Sequence, residues 1–495
     1  MLRSPRLLAG VALVSLLLLT LNVVWLTVDR DVTVSSRTTN WSTVWTRLRS
    51  VAEVGSSRAV AEPCRPLDRT PIVETTATAV AVKTATKRPA LLHVPKNTLL
   101  LGRPRAATGF LTIGIASVFR KEHYLSRTLR SLIDSSTAVE RANVTVVVLL
   151  ADTNDTLRSF RLSHLSSQFH GEVADGFIQF IQPPPDLYPD LNFTSGRRRT
   201  FNDKPERVAW RTKQVIDFSF LFSYCYKLSE YYMILEDDIL STSRYITAIR
   251  EFIQMHRHHD WVGLKFAQYM IIGDLVRSSS LPRLVQLMTM FREEQPVDFI
   301  MSHFISMMVN APGLPTRRVP SLFNHIGRRS TLANKTQKVV DYHTNQVTRR
   351  FEHDNPPAEV VTNMRVVTGH LAPYAYSVAP GLFIGQPKRG SVGTLDVALT
   401  RRRRLRRVAV VTGQKQQYRL KRGRLLAAAD LVRVTATSAE CTDWSLLGEF
   451  DPSGVVDVKA VDTLVPGGVQ CVRVEVDRTH GGIVAITEIA LFEES

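Results

Sequence analysis

A run of apolar residues that ends on three consecutive carboxylates constrains this chain more than any other stretch. Tyr231 to Leu235 is short, continuous and β-prone, as a buried strand is, and Glu236, Asp237 and Asp238 follow it directly. A strand interior does not tolerate three carboxylates, so we expect them where the strand leaves the sheet. In open α/β sheets, ligands bind at this carboxyl end of the strands.

The acid triplet, defined as Glu236, Asp237 and Asp238, needs a source of positive charge, because adjacent acids repel one another. A hard divalent cation with oxygen ligands supplies it, and Mg²⁺ or Mn²⁺ in such a site usually also holds substrate phosphates. A solvated acidic turn after a strand fits the same residues equally well. The triplet therefore indicates a metal site only if the rest of the chain supports one.

Strand-like and helix-like segments alternate from about residue 110 onward. The strand-like runs are 111–118, 144–150, 177–181, 233–235 and 261–266, and helical spacing covers 124–133, 208–228 and 284–291. This order predicts a parallel sheet covered by helices. Asp152, after the second strand, would then open on the same edge of the sheet as the acid triplet. The sequence has neither a Walker A motif nor G-x-G-x-x-G, so it indicates neither a P-loop NTPase nor a dinucleotide enzyme.

Four further residues are candidates for chemistry. Arg207 and Arg211 share one helical face and could grip a diphosphate, although a solvated basic face has the same spacing. Asp298 is flanked by apolar residues, which suits a general base, and a helix-capping Asp is the alternative. His325 is either a metal or phosphate contact or a structural histidine.

The net charge of +18 at pH 7 fits a nucleic acid, an anionic membrane or a phosphate-bearing substrate. The basic residues are clustered at Arg197–Arg199, Arg401–Arg407 and Lys421–Arg424. No zinc-finger or RNA-binding signature accompanies these clusters, so we predict no nucleic-acid partner. Four scattered cysteines do not make a zinc site or a disulfide framework, although Cys441 and Cys471 could pair in an oxidising compartment.

The N-terminal residues predict the compartment. Leu7 to Val28 carries no charge and is long enough to span a bilayer, and Arg3 and Arg6 precede it, which predicts a cytosolic tail of residues 1–6. A cleaved signal peptide is the competing interpretation, but no A-x-A-like site ends the run, so we expect an uncleaved signal anchor. N-glycosylation acceptors agree with a lumenal body, at Asn40, Asn143, Asn154, Asn192 and Asn334.

Composition divides the lumenal part into three segments. Residues 29–100 are rich in Thr, Val, Ala, Ser and Pro with little periodicity and predict a stem, and 101–368 would form the α/β domain. From residue 369 to 495, short Val-rich runs at 408–411, 431–434, 472–476 and 483–489 predict a β-sandwich. Asp443 and Trp444 could hold a sugar there, although a turn with a packed Trp fits them better.

Five stretches in this order resemble the N-acetylglucosaminyltransferase IV family, the Golgi enzymes of glycosyltransferase family 54 that branch N-glycans. They are Tyr188–Leu191, Glu206–Gln214, Leu235–Ile239, Pro320–Gly327 and Asn355–Val360. The resemblance implies a GT-A type, Rossmann-like nucleotide-sugar domain followed by a lectin-like domain. It implies UDP-GlcNAc as donor, a divalent metal, usually Mn²⁺, and a type II protein of the Golgi membrane. Whether the chain forms a homo-oligomer stays open.

The reaction that the resemblance implies is inverting β1,4 transfer of GlcNAc to the α1,3-arm mannose of N-glycans on secretory glycoproteins. By position, the acid triplet becomes a DXD-like motif in which Asp238 binds the metal. Asp152 falls near the nucleoside, and Arg207 and Arg211 fall in the basic helix of the family.

One departure from the family pattern bears on catalysis. Family members often read Asp-Trp-Leu-Leu-Asp-His where this chain has Asp298 to His303, so Ser302 replaces the second acid. If Asp298 is the base, nothing is lost, and we predict that it is. If the second acid is the base, the chain would be a catalytically silent Golgi lectin or regulator on the same fold.

Overall fold

A computed structural model describes residues 91–192, 200–269, 271–308, 316–327, 349–367 and 369–494. The predicted tail, the predicted signal anchor Leu7–Val28 and residues 29–90 of the predicted stem lie outside these ranges. Within the ranges, no helix combines the length and the apolar character that crossing a membrane requires.

The described residues from 91 to 327 form one sheet, a short ribbon and the helices around them. The strands are β1 (Leu99–Leu101), β2 (Gly109–Ser117), β3 (Val144–Leu150), β4 (Ile178–Ile181), β5 (Ser229–Leu235), β6 (Ile239–Ser241), β7 (Gly263–Lys265), β8 (Asp274–Arg277) and β9 (Phe323–His325). The helices are α1 (Tyr124–Asp134), α2 (Ala138–Arg141), α3 (Asp155–Gln168), α4 (His170–Ala174), α5 (Pro205–Cys225), α6 (Tyr245–Met255), α7 (Leu281–Phe291) and α8 (Val297–Met308).

The sheet has the strand order β1-β4-β3-β2-β5-β8-β7. Strands β4, β3, β2 and β5 are parallel, as the sequence predicts, whereas β1, β8 and β7 are antiparallel to their neighbours. The prediction of a purely parallel sheet is therefore wrong at both edges. Strands β7 and β8 are joined by residues 266–273 alone, which is too short for the crossover that parallel strands need.

Burial explains why the centre of this sheet is mostly apolar. Every residue of β3 is buried, and so is each residue of β5 from Tyr231 to Leu235. Strands covered on both faces by helices read as continuous apolar runs rather than as alternating ones. The sheet winds in opposite directions on the two sides of β2, so the carboxyl ends of β2 and β5 flank a topological switch point, where ligands bind in such folds.

Two five-stranded sheets form the predicted β-sandwich, in the orders β10-β13-β20-β15-β18 and β11-β12-β21-β14-β19. The elements of this part are α9 (Pro373–Tyr376), α10 (Val461–Leu464), β10 (Ala358–Thr362), β11 (Arg365–Val366), β12 (Phe383–Gln386), β13 (Gly393–Arg403), β14 (Leu405–Thr412), β15 (Gly423–Ala428), β16 (Asp430–Val434), β17 (Ala439–Thr442), β18 (Ser445–Glu449), β19 (Val455–Lys459), β20 (Val469–Val476) and β21 (Val484–Glu493).

The sandwich begins earlier than composition indicates. Strand β10 starts at Ala358 and pairs with β13, ahead of the boundary expected at residue 369. Cys441 and Cys471 form a disulfide that joins β17 to β20, as anticipated. The side chain of Trp444 is covered by the guanidinium of Arg473, whose Cζ lies 4.3 Å from the ring centroid, so this Trp is a packed residue.

Helix α9 connects the sandwich to the α/β part, because its residues belong to both cores. Tyr374 of the helix and Ala379, which follows the helix, pack in the core of the α/β part, whereas Ala375 and Tyr376 pack in the core of the sandwich. A helix shared in this way fixes one core relative to the other.

The side chain of Arg349 stabilises this connection between the two parts through hydrogen bonds. Its guanidinium donates to the carbonyl oxygens of Tyr374 (3.0 Å), Ser377 (2.6 Å) and Ala379 (2.7 Å), and also to that of Thr487 in β21. A charged donor that satisfies buried carbonyl groups stabilises a fold more than a neutral donor does.

We expect Arg349→Leu to lower the free energy of unfolding by about 3 kcal/mol, because four carbonyl groups lose their donor. Urea denaturation followed by tryptophan fluorescence measures the change. Arg350→Leu is the matched control, since Arg350 is exposed, and it should change the free energy by less than about 0.5 kcal/mol. Equal losses in the two variants would contradict the role assigned to Arg349.

Candidate active site

The acid triplet lies where the sequence predicts, at the carboxyl end of β5 beside the carboxyl end of β2. It lines an open cleft with a cavity volume of about 270 Å³. We call it the acid cleft and define it by its lining residues, Ala116, Ser117, Val118, Arg120, Ala151, Trp210, Lys213, Gln214, Asp217, Phe218, the triplet, Ile271, His325 and Gly327.

A two-stranded ribbon brings His325 to the triplet from far along the chain. Strand β6 follows the triplet and pairs antiparallel with β9, with Ile239 opposite His325. The amide of Ile326 donates to the carbonyl of Asp238 at 2.8 Å, which fixes the register beside the acids. Thr128 of α1 supports the other side, since its hydroxyl accepts from the amide of Ile239 at 3.0 Å.

Three side chains converge in the acid cleft as metal ligands would. Nε2 of His325 lies 3.4 Å from Oδ1 of Asp238 and 3.5 Å from Oε2 of Glu236, and one ligand atom of each residue lies within 4.8 Å of the others. Oδ1 of Asp238 is buried and has no hydrogen-bond partner among the described residues. Ligand atoms that share an octahedral Mg²⁺ or Mn²⁺ are about 3 Å apart, so this set of two carboxylates and one imidazole fits a divalent cation.

Gly327 is needed beside these ligands. A Cβ atom at this position would collide with the carboxylate of Asp238. His325 and Gly327 together form one wall of the acid cleft. This position gives a geometric basis to the prediction that His325 contacts a metal or a phosphate.

The charges in the cluster shift one another's protonation. Burial and then the charge of Asp238 raise the pKa of Glu236 to about 7. Burial alone would raise the pKa of Asp238, but the neighbouring imidazole of His325 and the charge of Arg120 outweigh it and lower that pKa. Burial would lower the pKa of His325, whereas the neighbouring carboxylate of Asp238 raises it. Near neutral pH the free cluster therefore holds protons that a metal must displace.

Asp237 and Asp152 turn away from the metal-ligand cluster. Asp237 accepts from the hydroxyl of Ser117 at 2.6 Å and pairs with Arg120. Asp152 is buried, pairs with Arg161 and accepts from the amide of Phe119 at 2.8 Å. Asp152 therefore holds the loop after β2 in place, and its predicted contact with a nucleoside stays a prediction.

The structure does not bring Arg207 and Arg211 into the lining of the acid cleft. Both pair with Asp203, at 3.1 Å and 2.6 Å, and Arg211 is buried and also donates to the carbonyl of Glu293 at 2.7 Å. The residues of α5 that do line the cleft include Trp210 and Lys213. Helical spacing placed the two arginines correctly on one face, but Asp203 occupies that face.

Asp298 lies in the first turn of α8, half-buried, and its charge helps to raise the pKa of Glu236. It is therefore close enough to the cluster to act on it electrostatically. Ser302 is exposed one turn further along the helix. The predicted role of Asp298 as general base fits this position and stays a prediction.

Sequence reasoning missed Arg120, Ser117 and Lys213. Arg120 and Ser117 follow or end β2, the strand beside the switch point, so the strand order would have pointed to them. Lys213 donates to Asp217 and to the carbonyl of Ala151, both at 2.8 Å. Its position inside the motif 206–214 was a signal that the two arginines obscured.

Comparison with known proteins places the chain. A family model described as the MGAT4 conserved region matches residues 74–344. The chain belongs to the MGAT4 family. Relatives of this family include alpha-1,3-mannosyl-glycoprotein 4-beta-N-acetylglucosaminyltransferase C of Sus scrofa, 33% identical over 77% of this chain and 79% of that protein. Alpha-1,6-mannosyl-glycoprotein 4-beta-N-acetylglucosaminyltransferase of Gallus gallus is 32% identical over 81% of this chain and 85% of that protein.

Partial likenesses to solved structures also exist. Chitosan-binding module 1 of a chitosanase/glucanase from Paenibacillus sp. IK-5 aligns over 28% of this chain and 96% of its own, at 15% identity and a TM-score of 0.22. The CBM32-1 module of a family 31 glycoside hydrolase from Clostridium perfringens aligns over 28% and 94%, at 11% identity and a TM-score of 0.21.

We expect Asp238→Asn to weaken Mn²⁺ binding by about 100-fold or more, because the change removes an anionic ligand. Titration followed by electron paramagnetic resonance of free Mn²⁺ gives the dissociation constant. Asp237→Asn, one residue away, is the matched control and should weaken binding by less than about 10-fold, since Asp237 faces Ser117 and Arg120. If Asp237→Asn weakened Mn²⁺ binding more than Asp238→Asn does, the metal ligand would be Asp237.

Metal affinity should rise with pH between about 6 and 8. Glu236, whose pKa is raised to about 7, is protonated below that value and must lose its proton to bind, and His325 must lose one as well. Calorimetry in buffers of different ionisation enthalpy should show proton release at pH 6.5. Glu236→Gln should flatten the pH dependence; an affinity independent of pH in the unaltered protein would contradict the assignment.

Proposed function

We propose that the chain is a Golgi enzyme that transfers GlcNAc from UDP-GlcNAc to an N-glycan in β1,4 linkage, with inversion, on a GT-A type domain. The observation that carries the proposal is the cluster of Glu236, Asp238 and His325 at the switch point of an MGAT4-family chain. A cluster of this kind suits a nucleotide sugar, whose diphosphate and a divalent cation occupy one site.

The residues that line the acid cleft suit both ends of such a donor. Glu236, Asp238 and His325 would hold the cation, Mn²⁺ by our proposal, which would neutralise charge on the departing UDP. Trp210 and Lys213 also line the cleft, and we place the uridine beside them. The net positive charge of the chain favours the approach of an anionic donor.

Asp298 completes the reaction as the general base. The acceptor hydroxyl oxygen attacks the anomeric carbon of GlcNAc from the face opposite UDP, and the bond from that carbon to the diphosphate oxygen breaks. Asp298 takes the proton of the hydroxyl as the new bond forms, so UDP leaves as the anion. The effect of its charge on the pKa of Glu236, from the first turn of α8, supports this role.

The acceptor in the proposal is the α1,3-arm mannose of an N-glycan on a secretory glycoprotein. The names of several relatives specify the α1,3 arm, and that of the chicken relative specifies the α1,6 arm. Since the names of the relatives do not agree on the arm, the choice of the α1,3 arm is the most specific part of the proposal. The lectin-like role of the sandwich, and anchoring in the Golgi membrane by Leu7–Val28, belong to the same proposal.

Asp298→Asn should lower kcat by about 100-fold to 10,000-fold, because a general base contributes that much, and should leave Mn²⁺ binding within about 2-fold. The assay combines the detergent-solubilised full chain, UDP-GlcNAc, Mn²⁺ and a biantennary N-glycan, and nuclear magnetic resonance of the product identifies the arm and the linkage.

Ser302→Asp separates the two candidate bases. If Asp298 is the base, restoring the second acid should leave kcat within about 3-fold. A rise of 10-fold or more would make the second acid the base of the family and the unaltered chain the silent lectin or regulator. Absence of both product and UDP release in the unaltered chain, with glycan binding intact, would also favour the silent alternative.

A further inference from the structure

The acid triplet presents an electrostatic problem that its predicted metal does not solve by itself. The side chain of Asp237 is 11% exposed, that of Asp238 is 5% exposed and that of Glu236 is 26% exposed. Carboxylates this far from water need a cation or a proton close by. A new chain must also fold before it can bind a metal at a site made by residues that are distant in sequence.

One arginine meets two of the three acids. A terminal nitrogen of Arg120 donates to Oδ2 of Asp238 at 2.8 Å, and the other terminal nitrogen pairs with Oδ1 of Asp237. The guanidinium lies over the ring of Tyr124, with its Cζ 4.8 Å from the ring centroid, and the side chain is 12% exposed. Such a planar group on an aromatic face is preorganised to hold two carboxylates.

The contacts that Arg120 makes leave Asp237 and Asp238 with different roles. Asp237 is held at both oxygens, because Ser117 donates to Oδ2 at 2.6 Å while Arg120 pairs with Oδ1. Asp238 is held at Oδ2 alone, and its free Oδ1 points toward His325 and Glu236. Oδ1 of Asp238 is therefore held in one orientation and remains available to bind a cation.

We propose that Arg120 is a built-in counter-cation, a positioning residue that lets the acid triplet fold without a divalent metal. It keeps Asp237 out of the metal-ligand set and turns Oδ1 of Asp238 toward Glu236 and His325. The inference rests on the metal site of the proposed function, and it adds a residue that neither the DXD-like motif nor the basic helix includes.

A role in packing alone makes a different prediction. The guanidinium covers Tyr124, so removing it would also lose contacts that have nothing to do with charge. A loss of packing is the same with and without metal. A loss of counter-charge is relieved by another cation or by removing one of the acids.

The experiment compares Arg120→Met, Arg120→Lys and the double variant Arg120→Met/Asp237→Asn as full chains, in EDTA and in excess Mn²⁺, by thermal unfolding. In EDTA, Arg120→Met should lower Tm by about 5 °C or more, because buried charges are stranded. Mn²⁺ should restore more than half of that loss and raise the Tm of the unaltered chain by less. Arg120→Lys should lose less than Arg120→Met, and the double variant should recover part of the loss in EDTA.

Equal losses with and without Mn²⁺, together with no recovery in the double variant, would overturn the proposal in favour of packing. No loss in EDTA would overturn it as well. If Arg120→Met does not fold in EDTA, recovery by Mn²⁺ or by Asp237→Asn supports the proposal, and failure of both contradicts it. If the unaltered chain binds no Mn²⁺, the proposed function fails, while recovery in the double variant still tests Arg120.

Discussion

Mutual repulsion among three adjacent carboxylates is the constraint on which the rest of this site depends. An apolar strand delivers them to the edge of a sheet, and nothing in that strand can neutralise them. Two groups from other elements lie against the acids, the guanidinium of Arg120 after β2 and the imidazole of His325 in β9, which is a cation when protonated. The negative charge that remains faces the acid cleft, where a divalent cation would lower the free energy further.

The elements that the sequence predicts well are those in which the signal is local. The apolar run from Tyr231 to Leu235 and the almost entirely apolar β3 give strands within one or two residues of their observed ends, because burial on both faces favours a continuous apolar run. The meeting of His325 with Asp238 has no local signal, since it depends on the pairing of β6 with β9. The same is true of the arginine-rich segment from Arg401 to Arg407, in which several charges pair with acids in other strands, namely Asp430, Asp457 and Glu493.

Helical spacing correctly predicts that two arginines share one face of α5, but it does not predict what they contact. Arg207 and Arg211 do share one side of α5, yet Asp203 takes both, and the neighbouring Lys213 reaches the acid cleft instead. Periodicity reports which residues share a face but not which carboxylate arrives from outside the helix. The boundary between the two domains shows the same limit. Composition predicts that the sandwich begins at residue 369, whereas its first strand begins at Ala358 and helix α9 belongs to both cores.

The most direct test of the account is a crystal structure of the chain with Mn²⁺ and UDP, with the metal located by its anomalous scattering. The account predicts one metal peak bonded to Oδ1 of Asp238, to a carboxylate oxygen of Glu236 and to Nε2 of His325, with Arg120 still on Asp237 and the diphosphate on the metal. A peak on Asp237, or a diphosphate bound at Arg207 and Arg211 with no metal in the acid cleft, would contradict it.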